Sequence, residues 1–194
     1  MLAPAIPSVP PAAPIATPLT TPLAAPPAAP PSAPPRTPAE ELLRGKQLAV
    51  PVDGVARSAL SDTFADPRGG RGHEAIDIAA ATGTRVFAVD DGTVVKLFRS
   101  VPGGITVYQF DPSGTLLYYY AHLDRYAEGL REGALLRRCD LIGYVGTTGN
   151  APANAPHLHF AVAALGAQRR WWQGTALNPY PALRAAPAGD SPCA

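Results

Sequence analysis

The chain has 194 residues, 46% of them hydrophobic, and a formal net charge of +1. That is enough apolar material for one core of ordinary domain size and too little for two ample ones. The balanced charge, with basic residues gathered only in pairs such as Arg137-Arg138 and Arg169-Arg170, argues against nucleic acid as a partner.

Residues 1–38 hold 14 of the 24 prolines and one charged residue, Arg36. Proline removes a backbone donor and fixes φ, so this stretch neither joins a sheet nor propagates a helix, and it is expected to be a disordered Pro/Ala-rich tether. Met1 to Leu23 carries no Lys or Arg and many prolines, so no export signal is visible there. No run of about eighteen apolar residues occurs anywhere, which excludes an integral membrane helix.

After Pro38, Ala39 to Leu48 predicts a short helical turn. From there the pattern changes to short apolar runs: Thr84–Val89, Gly92–Phe98, Ile105–Phe110, Thr115–Tyr120, Leu141–Val145 and Leu158–Val162. Breakers separate them, among them Asp91-Gly92, Pro102-Gly103-Gly104, Pro112-Ser113-Gly114 and Thr148-Gly149-Asn150. The class is therefore mainly β, a single antiparallel domain over residues 39–183 followed by a flexible tail over 184–194. Trp171 and Trp172 are expected to pack the C-terminal segment back on the domain. Cys139 and Cys193 make no disulfide framework and no cysteine zinc site, and a mobile tail around Cys193 argues against a bridge between them.

Three segments hold all four histidines. In Pro156-His-Leu-His-Phe160, strand alternation points His157 and His159 to one face and Leu158 and Phe160 to the core. In His73-Glu-Ala-Ile-Asp77, an extended reading places His73, Ala75 and Asp77 together, offering an imidazole and a carboxylate of the kind zinc accepts. Glu74 then faces away, which argues against it as a general base. His122 ends the run Tyr118-Tyr-Tyr-Ala-His122; alternation puts Tyr118 and Tyr120 on its face, as weak candidates for lining a substrate groove. A catalytic zinc needs three protein ligands, an open position and nearby proton carriers, and these segments contain enough groups for all of them.

The segments Gly72-His-Glu-Ala-Ile-Asp77, Tyr120-Ala-His-Leu123 and His157-Leu-His159 resemble the M23 metallopeptidases, the lysostaphin and LytM type of peptidoglycan endopeptidase. The resemblance covers about residues 50 to 165 and includes Asp91-Gly-Thr-Val94 and Gly143-Tyr-Val-Gly146-Thr-Thr-Gly149. One departure is Ala75, where the family usually has glycine. The resemblance implies a β-sandwich or barrel-like domain of the M23 type, one Zn2+ held by His73, Asp77 and His159, and catalytic roles for His122 and His157. It further implies a monomeric hydrolase of peptidoglycan stem peptides and cross-links that acts in the cell envelope, periplasmic or extracellular. Two other readings are a non-catalytic LytM-like activator of cell-wall amidases and a phosphocarrier-like β-sandwich; the latter leaves Asp77 without a role.

Overall fold

The computed structural model describes residues 36–185 and Cys193. The proline-rich stretch thus lies outside the described residues up to residue 35. At its end Thr37 caps helix α1, Pro38–Gly45: the Thr37 hydroxyl accepts from the Glu40 N–H and the Glu40 carboxylate accepts from the Thr37 N–H, with Pro38 in the first turn. Just beyond α1, Lys46 reaches down to two aspartates, Asp90 at 2.8 Å and Asp111 at 3.2 Å. Among the described residues, no helix is long and apolar enough to cross a membrane.

Among the described residues, a 3-10 turn at Arg57–Ala59 leads to eleven strands and a closing helix. A small hairpin, β1 (Pro67–Arg68) and β2 (Arg71–Gly72), stands apart from the main sheet. The main sheet contains β3 (Ile76–Ala79), β4 (Arg85–Phe87), β5 (Gly92–Ser100), β6 (Gly104–Phe110), β7 (Leu116–Tyr126), β8 (Leu135–Leu136), β9 (Leu141–Val145), β10 (His157–Leu165) and β11 (Gly174–Leu177). Helix α2, Tyr180–Arg184, follows. Every pairing is antiparallel, as the short hairpin-length connections predict.

The central path runs β11-β10-β7-β6-β5-β8. Strand β3 joins β10 on its free side near His157, and β9 bridges β4 and the far end of β7. β7 thus changes partners along its length. Leu116 to Ala121 pair with β10, whereas Leu123 to Tyr126 pair with β9. The core between the layers is filled by fully buried Ile76, Val107, Leu116, Leu123, Ile142, Leu158 and Phe160. Each such side chain contributes about 1.5–3 kcal/mol on burial.

Two expectations need correction. Tyr118 and Tyr120 are completely buried, with the Tyr118 hydroxyl donating to Asp90 at 2.9 Å and the Tyr120 hydroxyl to Gln109 at 2.8 Å. Burial pushes both phenols well above their ordinary range, so they are neutral core groups and do not line a groove. Cys193, expected unpaired, is buried and disulfide-bonded to Cys139. It packs with Ala49, Phe87 and Leu141, a small apolar site that no local pattern around Cys193 announces.

Candidate metal centre

The register of three strands assembles the site. His159 on β10 lies opposite Asp77 on β3 and opposite Ala121 on β7. His157, two residues earlier, shares its face, because Leu158 and Phe160 fill the core on the other side.

His73 arrives differently from the extended reading. β3 begins only at Ile76, Glu74 adopts a left-handed φ of 58°, and Ala75 is fully buried. The kink still brings His73 Nε2 to 3.1 Å from Asp77 Oδ1. Glu74 itself is exposed at the cleft rim.

His122 sits where β7 changes partners. Between Ile105 and Val107 the partner strand advances from Leu123 to Tyr120, three residues against two, which is a β-bulge. His122 has φ 59°, sparsely populated for a residue with a side chain. This turns the imidazole from the buried face of Tyr118 and Tyr120 to the open face of Tyr119 and Ala121. A clamp holds the kink: the His122 N–H donates to Gly103 O at 2.8 Å, and the Thr148 hydroxyl donates to Leu123 O at 2.6 Å. Gly104 and Gly149 make this possible, since a Cβ on either would collide with the other's backbone.

Three donor atoms converge. His73 Nε2 lies 3.0 Å from His159 Nδ1 and 3.1 Å from Asp77 Oδ1, and the latter two are 3.2 Å apart. A tetrahedral ion with bonds of 2.0–2.1 Å separates its ligand atoms by about 3.3 Å, so the triangle is nearly the face that zinc requires. A carboxylate with two imidazoles also matches its preferred donor chemistry, and the residues fit the ion. The outer contacts support the same orientation. His73 Nδ1 faces Thr63 O at 3.0 Å, so its N–H points there and the Nε2 lone pair points inward. Arg68 holds the second oxygen of Asp77, Oδ2, at 2.7 Å.

The remaining imidazoles stand beside the triangle. His122 lies with its ring centroid 5.0 Å from that of His157 and 5.6 Å from that of His159. Each places Nδ1 at 2.8 Å from a backbone carbonyl, Thr148 O for His122 and Ala155 O for His157. Nδ1 therefore donates and Nε2 carries the lone pair. His157 Nε2 is 3.7 Å from Asp77 Oδ1.

Burial depresses the pKa of His73 and of His122 below the ordinary value, outweighing the bonds to Thr63 and Thr148 that favour protonation. In both, burial favours the neutral imidazole. Burial acts on Asp77 in the opposite sense, but its contact with His159 and the neighbouring imidazoles hold its carboxyl below the usual range.

The group lies in a cleft of about 650 Å³. Its walls include Arg68, Arg71, Tyr108, Tyr119, Trp171 and Trp172. Trp171 and Trp172 therefore face the cleft, contrary to the expectation that they pack the C-terminal segment. Sequence reasoning missed Tyr119, because alternation from His122 selects its neighbours, and missed Arg68, whose link to Asp77 depends on the β1–β2 hairpin.

The model of peptidase family M23 matches residues 71–179. The chain is 32% identical over 131 residues to the L-Ala–D-Glu endopeptidase of Bacillus subtilis (strain 168), covering 63% of this chain and 39% of that protein. The catalytic domain of the antimicrobial peptidase lysostaphin from Staphylococcus simulans superposes with a TM-score of 0.55 at 28% identity, covering 64% of this chain and 90% of that one. A zinc-containing peptidase from Vibrio cholerae gives a TM-score of 0.50 at 26% identity, covering 61% of this chain and 37% of that one. The chain spans less than half the length of the curated relatives it matches.

Proposed function

This chain belongs to peptidase family M23, and from that premise we propose that it is a zinc-dependent endopeptidase that hydrolyses peptide cross-links of bacterial peptidoglycan. The observation that carries the reading is the near-tetrahedral triangle of His73, Asp77 and His159 beside two imidazoles whose Nε2 lone pairs are free of the backbone. Zinc held there supplies a Lewis acid that acidifies water toward a pKa of about 7 and polarises the scissile carbonyl.

The chain's own residues do the rest. His122 and His157 have the tautomer needed to take a proton at Nε2 from the attacking water. Once protonated, the same Nε2–H is a donor for the oxyanion and then for the leaving amine. Two such groups flanking one position divide these tasks without a catalytic glutamate. Arg68 keeps Asp77 Oδ2 occupied, so that Oδ1 is the oxygen turned to the metal.

The cellular setting follows from the substrate. Peptidoglycan lies outside the cytoplasmic membrane, and the Cys139–Cys193 disulfide suits an oxidising envelope compartment. In this reading residues 1–38 are a tether and residues 39–183 a catalytic domain that works as a monomer. Incubation of purified sacculi with the protein, with and without a chelator, tests the proposal. Release of cross-link cleavage products that stops on chelation and returns with zinc is expected; intact cross-links under zinc-replete conditions would refute it.

A further inference from the structure

An unbroken row of aromatic rings leads outward from the metal triangle. The Tyr119 ring lies 6.0 Å from that of His159, Tyr108 lies 4.7 Å from Tyr119, Trp171 lies 4.8 Å from Tyr108, and Trp172 lies 5.4 Å from Trp171. Tyr119, Tyr108 and Trp171 are half-buried, and Trp172 at the end of the row is 63% exposed. A single exposed indole is ordinary; at the end of a continuous aromatic row it extends one apolar surface from the cleft out to solvent.

The loop that carries the two tryptophans, between β10 and β11, is pinned. The Arg169 N–H donates to Gly166 O at 2.9 Å, the Gln173 N–H to Arg170 O at 3.1 Å, and the Arg169 guanidinium to Ser113 O at 3.2 Å. Trp171 is wedged edge-on against Tyr108 and tilted against Phe98, so the platform is ordered before any ligand arrives. The Arg170 guanidinium sits 5.7 Å from the Trp172 ring and adds hydrogen-bond donors at the platform's edge.

We propose that Trp171, Trp172 and Arg170 form a saccharide-stacking subsite that holds the glycan strand to which the scissile stem peptide is attached. The proposal rests on the peptidoglycan reading and adds to it a second point of recognition. Wall peptides offer methyl groups and charged chains; a sugar offers a flat, largely C–H face that matches an indole in size, with hydroxyl and amide oxygens around it for a guanidinium. Position agrees as well. Each ring-to-ring step equals between one and two residues of extended peptide, at about 3.3 Å each. Followed ring by ring, the row is therefore long enough to accompany a short stem as far as its sugar.

The test uses the full chain and needs no turnover. Peptide-free glycan chains of alternating N-acetylglucosamine and N-acetylmuramic acid are titrated calorimetrically into the protein without added metal. Saturable binding is expected, weakened roughly three- to tenfold by Trp172→Ala and largely restored by Trp172→Phe. Absence of glycan binding by the unaltered chain, or equal binding by Trp172→Ala, overturns the subsite. So does a Trp172→Ala variant that loses affinity for unglycosylated stem peptide while keeping it for glycan. A separate assay on the unaltered, zinc-loaded chain with an unglycosylated cross-linked peptide reports on the proposed function. Cleavage there without glycan binding refutes the subsite alone, and glycan binding through Trp172 without any cleavage refutes the peptidase reading alone.

Discussion

Under the proposed function, replacing His122 separates proton transfer from metal binding. Its φ of 59° is a conformation that histidine and asparagine occupy more readily than alanine, so alanine would confuse the outcome with a backbone effect. Asparagine tolerates that conformation and is the cleaner substitution. The imidazole is outside the donor triangle, so His122→Asn is expected to keep about one equivalent of zinc by elemental analysis. It loses the acid–base group, which is worth about 10²–10⁴ in rate, or roughly 2.7–5.4 kcal/mol in the barrier. The assay is kcat/KM on a cross-linked peptide, paired with metal content and a thermal melt. His159→Ala is the counterpart, expected to lose both zinc and activity. A His122→Asn protein that loses its zinc, or retains activity within tenfold of the unaltered chain, would refute the division of roles.

Other predictions test the frame around the site. Asp111 is almost wholly buried and accepts from the Thr115 and Leu116 N–H groups, both at 2.8 Å, and from the Ser113 hydroxyl at 2.7 Å. Asp111→Ala is expected to cost about 3–5 kcal/mol, measured by denaturant unfolding, and a loss under 1 kcal/mol would contradict the network. Burial pushes this carboxyl up, but its bonds from Leu116, Ser113, Thr115 and Lys46 outweigh that and leave the pKa depressed. Its contribution is therefore fully present above about pH 4 and fades as pH falls through the lower folded value; Asp111→Asn should flatten that acid limb. The Cys139–Cys193 bridge spans 54 residues of sequence, and loop-closure entropy assigns it about 4 kcal/mol. Cys193→Ser should lower Tm by several degrees, and an unchanged melt would show that the bridge does not form in solution. Arg68→Ala frees Asp77 Oδ2 and should weaken zinc affinity about 10- to 100-fold, a change read by competition with a chelator.

The parts of the site readable from sequence are those governed by local periodicity. His157 and His159 share a face because Leu158 and Phe160 are both fully buried on the other, and alternation alone conveys that. The mainly β class follows from the same signal, repeated between glycine breakers. Alternation fails where the backbone departs from it. At His122 a bulge and a positive φ exchange the two faces, so the reading from His122 selected Tyr118 and Tyr120 in place of Tyr119. Glu74 does the same to Ala75. Neither kink has a glycine or proline at its own position to announce it. The disulfide and the cleft-facing tryptophans escape for another reason: each joins segments whose proximity is decided by the tertiary fold, which no short window contains. The Arg68–Asp77 pair is only nine residues apart, but it depends on the β1–β2 hairpin, whose two-residue strands carry no periodicity to read.

Three of the four imidazoles direct Nδ1 at a main-chain carbonyl, those of Thr63, Thr148 and Ala155. Every amino acid supplies that acceptor, so the tautomers are encoded in the path of the chain and not in the identity of a partner side chain. Point mutation at position 155 cannot delete the acceptor, whereas an insertion or deletion nearby displaces it. Within these loops the centre is thus insulated against substitution and exposed to changes in length. Side chains in these loops can be exchanged while the tautomers of the three imidazoles stay the same.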